Sequence, residues 1–405
     1  MNTGIRRIDD LDIKEEVRKL KSMAAKNGLG KLRGPAASKR PAPQKTDILI
    51  LTAFFGSGHH NVSKAVKEQL LALDQSLGIE IRDLFSVTNP LLEQYAYDLY
   101  ELITKEMPEL YNYFYRKRKD CTEYYIDEIT SIMGLQRLTE YILETEPRLI
   151  VATFPLCSNI VSRFKKKQKS GIPLATCITD VVDSYEWLSD ETDLYLLPAG
   201  CVKSSLIKKG IPESRLKVTG IPVRKSFIDA ENISKPLPEE IKRVVVMGGG
   251  RGHFDVELKL LETLDRMSGV ETSIITGRNR ELFEKLQAQG FQNTKIIGFV
   301  KDPAFLMRRT SLLVTKPGGV TLFEAINCET PLVAKMPNIG QEIENANFIK
   351  KYSLGAVKDT TLEVAGEIER LLGSSEEITK LEDNIRSFKA TLERDKIGEY
   401  LLNLL

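Results

Sequence analysis

The stretch Thr315-Lys316-Pro317-Gly318-Gly319-Val320-Thr321-Leu322-Phe323-Glu324-Ala325 does most to limit how this chain can fold. It follows Ser311-Leu312-Leu313-Val314, which reads as a buried strand, and leads into Val320 to Cys328, which reads as a short helix. A strand, a glycine pair and a helix start place bare backbone N–H groups at the positive end of a helix, and a diphosphate suits such a site. Glu324 lies about one turn inside the helix. A carboxylate there meets sugar hydroxyls and repels a phosphate set beside it. The pattern points to a nucleotide held by phosphate at Gly318, Gly319, Val320 and Thr321 and by ribose at Glu324. The plainer alternative is a junction whose glycines only satisfy the turn.

The same grammar recurs along the chain. Asp47 to Ala53 reads as a buried strand, Phe54 to His60 as a loop, and Asn61 to Leu73 as a helix with Val62, Val66, Leu70 and Leu73 on one face. Ile79 to Leu84 is the next strand, giving the first unit of a doubly wound sheet. Leu149 to Thr153, Leu174 to Thr179, Leu194 to Leu197 and Leu216 to Thr219 follow as strands. Around Asp229 to Glu240, Pro236 and Pro238 mark a linker. The order then restarts at Arg243 to Met247, which empties into Gly248-Gly249-Gly250-Arg251-Gly252. Val270 to Thr276, Thr294 to Val300, Ser311 to Thr315 and Pro331 to Lys335 are the later strands, and Glu376 to Leu405 is helical. The fold class expected is α/β, two Rossmann-like doubly wound domains facing a cleft. Residues 1–46 form a basic flexible extension, 47–228 the first domain and 229–405 the second. At 405 residues the chain has the length for two such cores.

Composition narrows the setting. A net charge of +2 singles out no class of partner, and the basic runs lack a recognition fold, so no nucleic-acid partner is expected. Five scattered cysteines without CxxC spacing argue for a reduced compartment and against a zinc site. No apolar run approaches the roughly 18–20 residues of a spanning helix. The segment Asn89 to Lys119 stands apart: Leu92, Tyr95, Leu99, Leu102 and Ile103 share a helical face, and Leu110, Tyr111, Tyr113, Phe114 and Tyr115 run into Arg116-Lys117-Arg118-Lys119. Apolar and aromatic side chains beside base suit contact with an anionic membrane surface, against the alternative of ordinary core packing. A second basic run spans Arg163 to Lys169.

The chemistry has few candidates. The three histidines, His59, His60 and His253, all follow glycine-rich turns after the first strand of a domain. Histidine suits proton transfer at neutral pH, and position favours His59 over His60. Asp180 ends a strand, either to orient the histidine, to contact an acceptor, or as a turn residue. Trp187 belongs to the acceptor edge or to the core. In the second domain, Gly249 and Gly250 allow close approach to a phosphate, and Phe299 and Val300 end a strand where backbone groups can read a base edge. Gln341 and Asn345 lie in a polar loop suited to sugar hydroxyls.

Taken in order, these residues resemble a known family. The Gly58-His59 loop, Thr179-Asp180 with Trp187 after it, Thr219-Gly220-Ile221-Pro222-Val223-Arg224, the glycine run, Lys316-Pro317-Gly318-Gly319 and Gly340-Gln341-Glu342 with Asn345 are similar to the diacylglycerol glycosyltransferases. These comprise plant-type monogalactosyldiacylglycerol synthase and bacterial processive diacylglycerol β-glucosyltransferase, enzymes of GT-B fold. The resemblance runs from about Asp47 to the C-terminus. It implies a metal-independent, inverting transfer of a hexose from a UDP-sugar to a diacylglycerol-type lipid, with no further cofactor. His59 is then the general base, Glu324 the ribose ligand, Gly318 and Gly319 the diphosphate turn, and Gln341 with Asn345 the donor-sugar contacts. An N-terminus without an apolar h-region makes a cytoplasmic protein the default, and a lipid acceptor places it peripherally on the inner face of the membrane. Here the family's Gly-Gly-Gly-His or Gly-Asn-Gly-His loop reads Gly-Ser-Gly-His, with His60 and Asn61 following.

Overall fold

The structure is a computed structural model, and it describes residues 44–90, 93–120, 134–235, 242–248 and 257–405. Two six-stranded sheets, each wholly parallel, organise them. The first contains β1 (Ile48–Thr52), β2 (Ile79–Asp83), β3 (Leu149–Ala152), β4 (Leu174–Cys177), β5 (Leu194–Leu197) and β6 (Leu216–Val218), in the order β2-β1-β3-β4-β5-β6. The second contains β7 (Lys242–Met247), β8 (Val270–Ile275), β9 (Thr294–Ile297), β10 (Leu312–Thr315), β11 (Leu332–Lys335) and β12 (Gly355–Lys358), in the order β12-β11-β10-β7-β8-β9. Strands such as β1, β3, β4 and β10 are buried along their whole length, as strands covered by helices on both faces must be. This is the α/β GT-B arrangement expected.

Both sheets reverse their winding beside their first strand, between β1 and β3 and between β7 and β10. In doubly wound sheets a crevice opens at that point, beyond the carboxyl ends of the strands. The helix Gly58–Leu73 starts just after β1, and the helix Gly319–Asn327 starts just after β10. Topology alone therefore sets two helix starts at the two crevices. They touch: a Cβ on Gly58 would lie 3.4 Å from a Val320 methyl.

The sheets share a core at their junction. Ile221, Val223 and Phe227 of the first domain join one buried cluster with Val320, Phe323 and Phe388 of the second. Gly220, at φ +75°, allows this, because a Cβ there would press on the Phe323 ring at 3.1 Å. Separate clusters fill the outer faces, with Leu49, Leu51 and Ile142 in one and Val244, Leu260 and Ile368 in the other.

Several expectations shift. The helix after β1 starts at Gly58 rather than Asn61, so both histidines stand in its first turn. β12 was not anticipated. Thr153, Thr179, Thr219 and Thr276 lie just past their strands. The second-domain boundary does not contain the chain end: the helix Ile397–Leu402 packs on the Gly58–Leu73 helix of the first domain, since Ile397 and Leu401 need an apolar cover. Thr46 already belongs to the fold, its hydroxyl bonded to the Gly78 carbonyl at 2.5 Å; residues 1–43 lie outside the described residues.

Candidate active site

Two threonine-bearing strand ends and a helix start build the first-domain side of the cleft. His59 is held through Nδ1, which lies 3.0 Å from the Thr153 carbonyl and 2.9 Å from the Thr179 hydroxyl. A carbonyl only accepts, so Nδ1 carries the hydrogen and Nε2 the lone pair. Nε2 has no hydrogen-bond partner among the described residues. Ser63 braces the arrangement, its hydroxyl 2.9 Å from that of Thr153. The rings of Phe154 and Trp187 stand 5.0 and 6.4 Å from the imidazole. Burial pushes the His59 pKa down to about 4, against a smaller upward pull from the Thr153 carbonyl. His59 is therefore neutral at physiological pH, with one basic nitrogen unoccupied.

His60 faces elsewhere. Its ring packs on Phe54 at 4.5 Å, and its buried Nδ1 has no partner. Trp187 is core, almost fully buried, and it forms a wall of the histidine pocket. The two residues that set the histidine tautomer, Thr153 and Thr179, carry only a strand signal in the sequence, and nothing local to either points to His59. A run of rings, Phe154, Phe55, Tyr100 and Tyr111, leads away from His59 with successive centroids 5.1, 4.7 and 5.9 Å apart.

Asp180 does not orient the histidine. Its carboxylate turns across the cleft, accepting from Asn345 Nδ2 at 2.8 Å and from the Gly319 N–H. Asn345 closes the link by accepting from the Val181 N–H at 2.8 Å. A Cβ on Gly319 would sit 2.2 Å from the Thr179 carbonyl oxygen, so the closeness of the two domains depends on that glycine. Burial pushes the Asp180 pKa up to about 7, although Asn345 and Gly319 favour its ionised form. The helix start thus already holds an acidic group where the sequence places a diphosphate.

The second-domain side is equally defined. Glu324 is buried one turn into its helix and its carboxyl has no hydrogen bond among the described residues; burial raises its pKa to about 7, with the Arg224 charge opposing. Arg224 donates to the Lys301 carbonyl at 2.8 Å, and its Nε is buried without a partner. Gln341 and Asn345 are four residues apart on the helix Gly340–Lys351 and so share a face. Lys316 pairs with Glu342 at 2.6 Å. Phe299 is about half exposed with the Arg278 guanidinium over its ring, and Val300 packs against the interdomain core. Gly249, Gly250 and His253 lie outside the described residues.

Comparison with known proteins bears on this cleft. The family model for monogalactosyldiacylglycerol (MGDG) synthase matches residues 59–223, which include His59, Thr179 and Asp180. The processive diacylglycerol beta-glucosyltransferase of Bacillus subtilis (strain 168) is 30% identical over 370 residues, covering 88% of this chain and 94% of that one. The chain belongs to the diacylglycerol glycosyltransferase family. It is accordingly a glycosyltransferase, an enzyme of glycolipid synthesis. The fold agrees. MurG of Acinetobacter baumannii superposes with a TM-score of 0.57 at 14% identity, over 89% of this chain and 100% of that one. MnaA of S. aureus, solved with UDP, gives 0.54 at 12% identity, over 89% and 98%.

The aromatic and basic segment of this glycosyltransferase is two helices, Glu93–Glu106 and Pro108–Asp120, the second opening on a proline that fits a first helical turn. Several of its aromatic residues turn inward. Tyr97 donates to Asp83, and Leu110, Tyr111 and Tyr115 are buried. Tyr113 and Phe114 are half-buried, Arg116 and Lys117 exposed. In the second basic run, Lys165 is buried against Asp193 at 2.6 Å, while Lys166, paired with Asp190, Lys167 and Lys169 are exposed.

Proposed function

We propose that this glycosyltransferase moves a hexose from UDP-glucose or UDP-galactose to diacylglycerol, or to a glycosyl-diacylglycerol, with inversion at the anomeric carbon. The observation that carries the reading is the pairing of a neutral His59, its Nε2 open, with the start of the Gly319–Asn327 helix directly across the cleft. The acceptor hydroxyl gives its proton to Nε2 as its oxygen bonds to the anomeric carbon. The bond from that carbon to the UDP oxygen breaks, and its electrons leave on the β-phosphate. One displacement from the opposite face inverts the centre. Charge growing on the departing diphosphate is met by the Val320 N–H and the helix dipole, the Gly319 N–H being engaged by Asp180; they supply the stabilisation a divalent ion gives elsewhere, so no metal is assigned a step.

Glu324, buried without a partner, suits the two ribose hydroxyls, and Gln341 suits a hydroxyl of the hexose. The half-buried rings of Phe55, Phe154 and Tyr100 line an approach fit for the apolar part of a lipid acceptor. No helix among the described residues is long and apolar enough to cross a membrane. We place the enzyme on the cytoplasmic face of one, held by Tyr113, Phe114, Arg116 and Lys117 against anionic headgroups.

The test is a donor panel of UDP-glucose and UDP-galactose with diacylglycerol in anionic vesicles, with lipid products read by mass. One hexosyl-diacylglycerol is expected for at least one donor. His59→Ala should lose about 10²- to 10⁴-fold in kcat while binding UDP as the wild type does. Absence of any lipid product with both donors, or near-normal turnover by His59→Ala, refutes the reading.

A further inference from the structure

Asn112 and Tyr111 belong to the first domain, on the helix Pro108–Asp120, yet their side chains bond the second. The helix Gly340–Lys351 has no side-chain cap of its own at Ile339. Its first N–H, from Gly340, donates to Asn112 Oδ1 at 2.9 Å, and Asn112 Nδ2 donates to the Asn338 carbonyl at 2.6 Å. A donor on one side and an acceptor on the other fix which way this amide points. The Tyr115 ring lies where a Cβ on Gly340 would come within 2.1 Å, so the helix start is seated directly on the tyrosine. Lys119 pairs with Glu344 one turn further along. The Tyr111 hydroxyl donates to Gln341 Oε1 at 2.8 Å.

We propose that Asn112 and Tyr111 are positioning residues for the donor sugar: they cap the helix in trans and set the Gln341 amide with its oxygen turned away and its NH₂ toward the sugar. The proposal rests on the reading of Gln341 as a donor-sugar contact. Its physical content is polarity. An amide free to rotate offers a hydroxyl either a donor or an acceptor, whereas one whose oxygen is engaged by Tyr111 offers two N–H donors. Gln341 Nε2 has no partner among the described residues. The same contacts make donor recognition depend on the acceptor domain. A sugar is gripped in its proper orientation only when the Pro108–Asp120 helix is docked, so closure of the cleft and selection of the donor are one event.

The experiment measures binding of UDP and of the accepted UDP-hexose by calorimetry, with KM and kcat alongside. Tyr111→Phe removes only the hydroxyl oxygen. It should weaken UDP-hexose binding and raise its KM roughly 3- to 10-fold, as loss of one neutral hydrogen bond does. UDP binding should stay unchanged, because UDP carries no hexose. Asn112→Ala should show the same signature. Tyr111→Phe combined with Gln341→Ala should bind UDP-hexose no worse than Gln341→Ala alone, since both act through one amide. Equal weakening of UDP and UDP-hexose by Tyr111→Phe would mean only interdomain packing, and the proposal falls. If Gln341→Ala weakens UDP-hexose and Tyr111→Phe does not, the proposal falls while the reading of Gln341 stands. If Gln341→Ala binds UDP-hexose like the wild type, that reading is wrong and takes the proposal with it.

Discussion

In its proposed role at the ribose, Glu324 prepares a site at a cost to the free protein. Its carboxyl is buried, has no hydrogen bond among the described residues, and is held near pKa 7. Ribose hydroxyls donate, so the form that binds them well is the ionised acceptor. The advantage of the wild type over Glu324→Gln in UDP affinity should therefore grow as pH climbs through about 7, a comparison from which the ionisation of Asp180 in the same range cancels. The stability of the free enzyme runs the other way. The folded pKa lies above the unfolded value, so the folded state holds the extra proton between the two, and stability falls as pH rises across that window. Above it the cost is complete, on the order of 1–3 kcal/mol. Glu324→Gln should thus melt above the wild type at pH 8 and level with it at pH 4. Calorimetric titration with UDP and thermal melts at those pH values check both halves. A variant that melts below wild type at pH 8 would mean that Glu324 is already partnered in the free protein.

Among elements, the start of the Gly319–Asn327 helix makes a sharper statement than the sequence did. Gly318 and Gly319 are adjacent, yet a Cβ on Gly318 meets nothing within 4 Å and its φ of −72° accepts any residue. On Gly319 the same atom would strike the Thr179 carbonyl oxygen and the Asp180 carboxylate. Backbone cannot step aside as a flexible side chain can. Gly319→Ala should cost about 1–3 kcal/mol and pull the helix start away from Asp180, whereas Gly318→Ala should melt like the wild type. Equal melting of the two variants would sink this account of the pair.

The glycine pair itself was legible, and so were eleven of the twelve strands: central ones such as β1 and β10 because buried parallel strands are continuous apolar runs, and edge strands such as β2 and β9 by their isoleucines. β12 was not, since Gly-Ala-Val-Lys at a sheet edge carries little apolar signal, and its glycine is there because a Cβ would come within 2.0 Å of the Leu332 carbonyl oxygen. Strand ends were overrun by one to three residues at threonines such as Thr153 and Thr179, whose β-branching favours strand but whose hydroxyls here serve the site. The bond between Tyr111 and Gln341 spans 230 residues, and no local pattern encodes it. Read without its partner helix, an aromatic run beside base looked like a membrane face, while part of it is an interdomain seam.

For the whole molecule, the consequential feature is that the chain crosses between domains twice. The first crossing follows Asp229, where Lys235 ties the linker to Glu382 at 2.6 Å. The second lies at the far end of the sequence: the Glu393 N–H donates to the Val218 carbonyl at 2.9 Å, Arg394 reaches both Asn327 and Glu231, and the last helix then settles on Gly58–Leu73. A Cβ on Gly398 would lie 3.2 Å from the Gln69 carbonyl, so the two helices cross at close range. The helix that carries His59 in its first turn is therefore held near its far end, at Gln69 and Leu73, by a residue more than 320 positions later, Gly398. Any opening of the cleft must flex both crossings at once, and the C-terminal helix moves with the first domain. Leu401 is fully buried in that contact. Leu401→Ala should cost about 2–5 kcal/mol. Its local effect should appear as faster amide exchange in Gly58–Leu73, with β7, β8 and β10 keeping their protection. Faster exchange confined to the second sheet would show that the last helix belongs energetically to the domain it comes from, and that the histidine helix stands without it.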